Sequence, residues 1–292
     1  MFTVIVLAAT LNASPSIKVE RDVVYTTVDK MELKLDIARP TTPGPHPAAV
    51  GFHGGAWKYG SKQEISKPFK GMKDFGGTGP TSLLEYIAEQ GYVAVSVQYR
   101  LAPDHKWPAQ INDAKTAVRY LRANADKYGI DKDHIGAFGF SAGGHLAALL
   151  GTVDKDAGLE GTDYLDQSSQ VQCVVDYFGP ADMSLYAATP GIEKAYMRPL
   201  LGTTFAEKPE VFRQASPVCH VTKNAAPFLI LHGNMDIIVP IIHSERLDAK
   251  LKSVGVESTL IPVNGKGHGW EGDAANESRK MAIEFLGKHL KK

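Results

Sequence analysis

Cysteine is scarce in this chain of 292 residues. The two present, Cys173 and Cys219, are too few for a disulfide framework. Cys173 lies in an apolar run and reads as a small buried hydrophobe, although a Cys173–Cys219 bridge stays open for an exported protein. Net charge is lacking too: Lys+Arg and Asp+Glu both number 32. With no basic run and no aromatic-basic ladder, nothing draws the chain to nucleic acid or to an anionic membrane. No apolar stretch is long enough to span a bilayer. No metal-ligand cluster and no internal repeat appear. The glycine-rich Gly76-Gly77-Thr78-Gly79-Pro80 is not followed by Gly-Lys-Ser/Thr, so a phosphate cradle is excluded. What is present is ordinary globular material, 43% hydrophobic and 22% charged, with ample apolar area for a core.

The first thirteen residues are apolar and close with Leu11-Asn12-Ala13. They resemble the apolar core and small-residue end of a secretory signal, although no Lys or Arg precedes them. The expectation is a signal remnant over 1–13, a single domain over 14–292, and a secreted or periplasmic location, with a cytoplasmic one as the alternative.

Strand and helix patterns alternate along the rest. Val19 to Ala38 reads as two strands around Asp29-Lys30, and Ala48 to Phe52 as a compact apolar strand. Further strands are expected at Tyr92–Val97, Ile135–Phe140, Cys173–Phe178, Phe228–His232 and Ser258–Val263. Helices are expected at Ser82–Gln90, Pro108–Asn124, Ser141–Gly151, Ile242–Ser253 and Asn276–His289. Asp113 falls inside a helix and reads as structural. The alternation implies an α/β fold, a mostly parallel eight-stranded sheet with helices on both faces. The Lys58–Thr81 segment reads as a long loop of functional size. Asp182 to Ser216, interrupted by Pro190, Pro199 and Pro209, reads as an irregular cap inserted over the sheet.

The chain is organised around Ile135 to Leu150. An apolar strand runs into Gly139-Phe140-Ser141-Ala142-Gly143 and then into a run of helix formers. A strand that breaks sharply into a helix lifts one side chain out of the turn, and small neighbours leave room for the strained backbone. Ser141 is therefore the candidate nucleophile, with the Ala142 N–H facing the same space from the helix N-terminus.

A serine hydroxyl needs a base, an orienting acid and oxyanion donors. His268, in Gly265-Lys266-Gly267-His268-Gly269-Trp270 after the last strand, is the candidate base. His145, one turn beyond Ser141, reads as a packing or hydrogen-bonding histidine. Asp236 follows the penultimate strand and is the preferred acid, with Asp182, one strand earlier, as the fallback. Asp176 lies within its strand and faces the core or a helix. The glycines of His53-Gly54-Gly55-Ala56-Trp57 allow Gly54 and Gly55 N–H groups to face a substrate oxygen. Trp57, Tyr99 and Trp107, on loops or near strand ends, are candidate pocket aromatics, with buried packing as the other reading.

On these motifs, together with Tyr99-Arg100-Leu101-Ala102-Pro103, Pro108-Ala109-Gln110 and His232-Gly233 through Asp236 to Val239-Pro240, the chain resembles the α/β-hydrolases. Within them it is similar to hormone-sensitive-lipase-like carboxylesterases and, more closely, to the bifunctional feruloyl and acetyl-xylan esterase group. The resemblance covers roughly Val23 to Leu290 and implies a serine carboxylesterase, with no cofactor, acting on a small-molecule or polysaccharide-linked ester. It departs at Ala56, where many relatives carry a third glycine, and in the length of Lys58–Thr81. An arylformamidase-like amidohydrolase is the alternative activity, because His-Gly-Gly-x-Trp is also similar to kynurenine formamidases. A ligand-binding protein that has lost catalysis is the other class, though such proteins usually lack a triad member. A serine peptidase is disfavoured because relatives with that activity carry an added N-terminal domain. The polar composition of the Asp182–Ser216 cap implies a preference for acetyl to butyryl groups over long-chain lipids.

Overall fold

A computed structural model of the chain describes residues 16–67 and 82–291. The expected signal remnant and the 68–81 part of the long loop lie outside the described residues. β1 (Ile17–Val28) and β2 (Met31–Pro40) form an antiparallel hairpin. Asp29 and Lys30 both take positive φ, 48° and 69°, the backbone twist that a two-residue hairpin turn requires. β3 (His46–Phe52), β4 (Val93–Val97), β5 (Ile130–Phe140), β6 (Val174–Tyr177), β7 (Phe228–Gly233) and β8 (Ser258–Val263) complete one eight-stranded sheet. Its order is β1-β2-β4-β3-β5-β6-β7-β8. β2 runs antiparallel to β1 and β4, and every other pairing is parallel.

The fold is that of the α/β-hydrolases. β4 and β7 are buried along their whole length, which is why they read as nearly continuous apolar runs, with Ser96 and His232 the polar members, rather than as alternating ones. Five helices of seven or more residues are present among the described residues: α1 (Leu83–Glu89), α2 (Ala109–Ala123), α3 (Ala142–Thr152), α4 (Ile242–Ser253) and α5 (Asp273–Leu290). Side chains from α2, α3 and α4 build the core on one face of the sheet. Those from α1 and α5 build the other. α1 begins with a reciprocal cap between Ser82 and Glu85. On α2 the predicted stripe of Ile111, Ala114, Val118 and Leu121 is fully buried. Asp113 on the same helix accepts from the Arg100 guanidinium at 2.7 Å and from its backbone N–H at 2.8 Å, so it fastens the segment after β4.

The span between Asp182 and Ser216 is more regular than its prolines suggested. Pro199 lies within the unbroken helical run 190–201, whereas Pro190 and Pro209 each open a short helix rather than interrupting one. There the missing N–H has no partner to lose. Glu193–Met197 between them is a π-helical turn. Both cysteines are free, Cys173 buried and Cys219 exposed. No helix among the described residues is long and apolar enough to cross a membrane.

The register brings the carboxyl ends of the central strands to one rim. Phe52 pairs with Gly139, Phe140 with Tyr177, and Tyr177 with Leu231. The loops after β3, β5, β6, β7 and β8 therefore meet there, the position at which sheets of this kind place reactive groups.

Asp176, on β6 just below that rim, is fully buried. Its Oδ1 accepts the Gly179 N–H at 2.9 Å, and its Oδ2 has no hydrogen-bond partner among the described residues. Burial pushes its pKa up to about 6, with the Gly179 N–H and His232 opposing the rise. The folded state therefore holds this proton above the unfolded value of about 3.9. Stability contributed here is present at low pH and is lost as pH climbs from about 4 to about 6, by up to ~1.4 kcal/mol per pH unit. Asp176→Asn should flatten that part of the curve in urea unfolding measured across pH 4 to 7. An unchanged slope would show that the carboxyl is ionised throughout.

Candidate active site

Ser141 separates β5 from α3 with φ 54° and ψ −118°, a conformation that strains any residue carrying a Cβ. The glycines on either side permit it. A Cβ on Gly139 would lie 2.2 Å from the Gly143 carbonyl oxygen, and one on Gly143 would lie 2.0 Å from that of Phe52. Strand and helix therefore meet backbone to backbone, and the serine side chain is turned out at the rim.

His268 stands between Gly267 and Gly269 in the loop after β8, and Gly269 has φ 93°. Its Nε2 is 2.9 Å from Ser141 Oγ, and its Nδ1 is 2.7 Å from Asp236 Oδ2. An ionised Asp236 can only accept, so it fixes the proton on Nδ1 and leaves Nε2 to accept the Ser141 hydroxyl. Asp236 is itself tightly held. Its Oδ1 accepts the backbone N–H groups of Ile238 at 2.8 Å and Val239 at 2.9 Å, and its Oδ2 also lies 3.3 Å from His232 Nε2. Burial alone would raise its pKa; the bonds from His232, His268 and the Val239 N–H outweigh that and hold the carboxyl well below the usual range.

Asp182, the other acid considered, accepts from Arg246 at 2.6 Å and from Ser184, away from His268. Burial raises its pKa, while bonds from Ser184 and Arg246 bring it below the ordinary carboxylate value. The structure thus brings Ser141, His268 and Asp236 together and leaves Asp182 outside.

The turn after β3 sits beside the serine: a Cβ on Gly54 would be 3.6 Å from the Ser141 Cβ. Gly55, Ala56 and Trp57 all have positive φ, at 104°, 52° and 59°, and the Gly55 carbonyl accepts from Lys58 and Tyr59 at 3.0 and 2.9 Å. The N–H groups of Gly55, Ala56 and Ala142 donate to no acceptor among the described residues. The Gly54 N–H has a competing acceptor, the Glu64 carboxylate; desolvation raises the Glu64 pKa, and the Ser61 and Gly54 N–H groups oppose the rise.

A cavity of about 990 Å³ opens over Ser141 and His268. Of the three aromatics expected to line it, only Trp57 does so, and two are corrected. Tyr99 is 1% exposed; its hydroxyl donates to the His53 carbonyl at 2.9 Å, and its ring stacks on His53 at 4.3 Å. Trp107 donates its indole N–H to Gln214 at 2.9 Å. A phenol or an indole near a strand end must satisfy its polar atom, and both do so inside the protein. The rings that do line the cavity include Phe140, Tyr177, Phe178, Tyr186, Tyr196 and Trp270. Phe140, Tyr177 and Phe178 stand at the strand ends of the rim, and Trp270 follows His268 by two residues. That position was the available signal. Among the described residues no group of three or more His, Cys, Asp or Glu could hold a metal ion.

The BD-FAE family model matches residues 35–251. The chain belongs to the BD-FAE family. Among curated relatives, this BD-FAE chain is 35% identical over 247 residues to Esterase LipC of Mycobacterium tuberculosis and 31% identical over 265 residues to Esterase LipQ of the same organism. Those matches take in 81% and 87% of this chain but 57% and 58% of the relatives, so the chain spans little more than half their length. Among solved structures, a truncated carbohydrate esterase from gut microbiota superposes with a TM-score of 0.79 at 29% identity, covering 96% of this chain and 98% of the other. Thermogutta terrifontis esterase 2 with propionate bound gives 0.75 at 29% identity, covering 96% of each chain.

Asp236→Asn should lower kcat for an activated ester by roughly 10⁴-fold, because the amide favours the wrong histidine tautomer. Asp182→Asn should do much less. Steady-state kinetics on both variants checks the ranking, and a reversal would move the acid to the loop after β6.

Proposed function

We propose that the protein is a serine carboxylesterase that hydrolyses short-acyl esters, with acetyl and feruloyl among its acyl groups, through an acyl-enzyme. The observation that carries this reading is the unbroken hydrogen-bond chain Asp236–His268–Ser141, ending beside backbone N–H groups that donate to nothing else described. Ser141 Oγ attacks the ester carbonyl as His268 Nε2 takes its proton. The resulting oxyanion accepts from Gly55 and Ala142, with Gly54 and Ala56 as the neighbouring donors of the same turn. His268 then gives its proton to the departing alcohol, and Asp236 stabilises the imidazolium that exists between the two transfers. Water, deprotonated by the same imidazole, attacks the acyl-Ser141 ester and releases the acid.

Fixed rings bound the cavity, and the cap supplies Tyr186, Ile192, Tyr196 and Met197 rather than a long aliphatic trench. An extended acyl chain gains ~0.8 kcal/mol for each methylene it buries, whereas the rings in this lining offer flat faces to a planar acid or to a saccharide. A planar aromatic acid or a small acyl group fits it better. The likeness to a carbohydrate esterase, and to an esterase 2 whose structures hold propionate and butyrate, supports small acyl groups and a saccharide as the alcohol.

The test is kcat/KM on acetyl, butyryl, octanoyl, palmitoyl and feruloyl esters, with N-formylkynurenine as the amide control and Ser141→Ala as the blank. Rates should be highest at butyryl or shorter among the alkyl esters, and the blank should lose about a millionfold in kcat. A maximum at octanoyl or longer would contradict the short-acyl reading. A formamide rate far above every ester would make the protein an amidohydrolase.

A further inference from the structure

His145 is 0% exposed and touches three separate parts of the rim. Its backbone N–H bonds to the Ser141 carbonyl at 3.0 Å, as the first turn of α3 requires. Its Nδ1 lies 3.1 Å from the indole Nε1 of Trp57. Its Nε2 lies 2.7 Å from the carbonyl of Ala215, where the cap segment returns to the sheet. The partners settle the ring's tautomer. A carbonyl can only accept, so Nε2 carries the proton; an indole N–H can only donate, so Nδ1 accepts. Burial pushes the imidazole down to about 4, against the bond to Ala215, and a neutral ring is what the Trp57 bond needs.

Trp57 is the last residue of the strained stretch Gly55-Ala56-Trp57, all at positive φ. Ala56 and Trp57 carry a Cβ and gain nothing locally from that conformation. Something outside the turn must hold them. The Trp57 carbonyl accepts the Ala102 N–H at 2.8 Å, and the indole N–H is tied to His145. The indole also stands edge-on to the imidazole at 5.2 Å and 87°.

We infer that His145 is a positioning residue for the oxyanion turn: through the Trp57 indole it holds the Gly55 and Ala56 N–H groups in register with Ser141, and through Ala215 it ties that register to the cap. The inference rests on the oxyanion role proposed above for the turn. Donors that drift out of register weaken binding of the oxyanion more than of the ester, so the loss appears in kcat and not in KM.

Four variants test this by kcat and KM on a butyryl ester, with folding checked by thermal unfolding. His145→Leu removes both bonds, and Trp57→Phe removes the indole donor. His145→Asn keeps an acceptor near the Nδ1 position, and the fourth variant combines Trp57→Phe with His145→Leu. The two single losses should each lower kcat by about 10- to 100-fold, short of the 10²- to 10³-fold typical of deleting an oxyanion donor. KM should stay within about threefold, the double variant should be no worse than its weaker parent, and His145→Asn should recover most of the rate. Wild-type kcat in folded His145→Leu or Trp57→Phe would overturn the inference. So would a loss confined to KM, additive losses in the double variant, or no recovery in His145→Asn. Should His145→Leu not fold, Trp57→Phe and His145→Asn decide the matter by the same criteria. Failure here is separable from failure of the esterase reading, which an active Ser141→Ala would reveal.

Discussion

The close approach of the α3 N-terminus to the end of β3 is the constraint on which the rest depends. Gly143 has room only for a hydrogen where the Phe52 carbonyl passes, and that contact fixes how far the helix stands from the sheet. Ser141 is forced to φ 54° as a result, and the turn that follows Phe52 is brought alongside it. Ser141 and the N–H groups of Gly55 and Ala142, which donate to no acceptor among the described residues, thus belong to one packing event. The strain is local, and a sheet buried on both faces is what can hold it.

Histidines illustrate how environment sorts identical side chains. His53, His145 and His243 are buried, and desolvation pushes each of them down to about 4. They remain neutral and serve as hydrogen-bond joints: His53 to the Gly54 carbonyl, His145 between Trp57 and Ala215, His243 to the Asp182 N–H. His268 differs in two respects. Its side chain keeps 18% exposure at the cavity floor, and the carboxylate behind it has none. A ring open to the substrate on one side and backed by a buried anion on the other is suited to take and return a proton.

Much of this is legible in the sequence. Strand runs such as Val93–Val97 and Phe228–Gly233 announce a buried parallel sheet by being almost continuously apolar, broken only by Ser96 and His232, and the two groups at 2.7 and 2.9 Å from His268 both follow runs of this kind. The order of the strands alone favours Asp236 over Asp182. Directions of side chains were not legible. Tyr99 and Trp107 sit close in sequence to the rim, yet each turns its polar atom inward to a partner 46 or 107 residues away. Pairings at that separation leave no local periodicity. The prolines between Asp182 and Ser216 are ambiguous for a related reason: a proline disfavours a helix interior and favours a helix start, and composition alone does not say which position it holds. The competing contact between Glu64 and the Gly54 N–H is likewise a product of tertiary folding.

Covalent labelling with a small organophosphate tests the central claim most directly. Ser141 Oγ should displace the leaving group at phosphorus, with His268 taking the hydroxyl proton, and leave one stable phosphoryl ester. Intact-mass and peptide mass spectrometry should show a single adduct, on the peptide that contains Ser141, with labelling slowed by orders of magnitude in His268→Ala. An adduct on another residue, or equally fast labelling without His268, would contradict the account of Ser141 as a nucleophile activated by the Asp236–His268 pair.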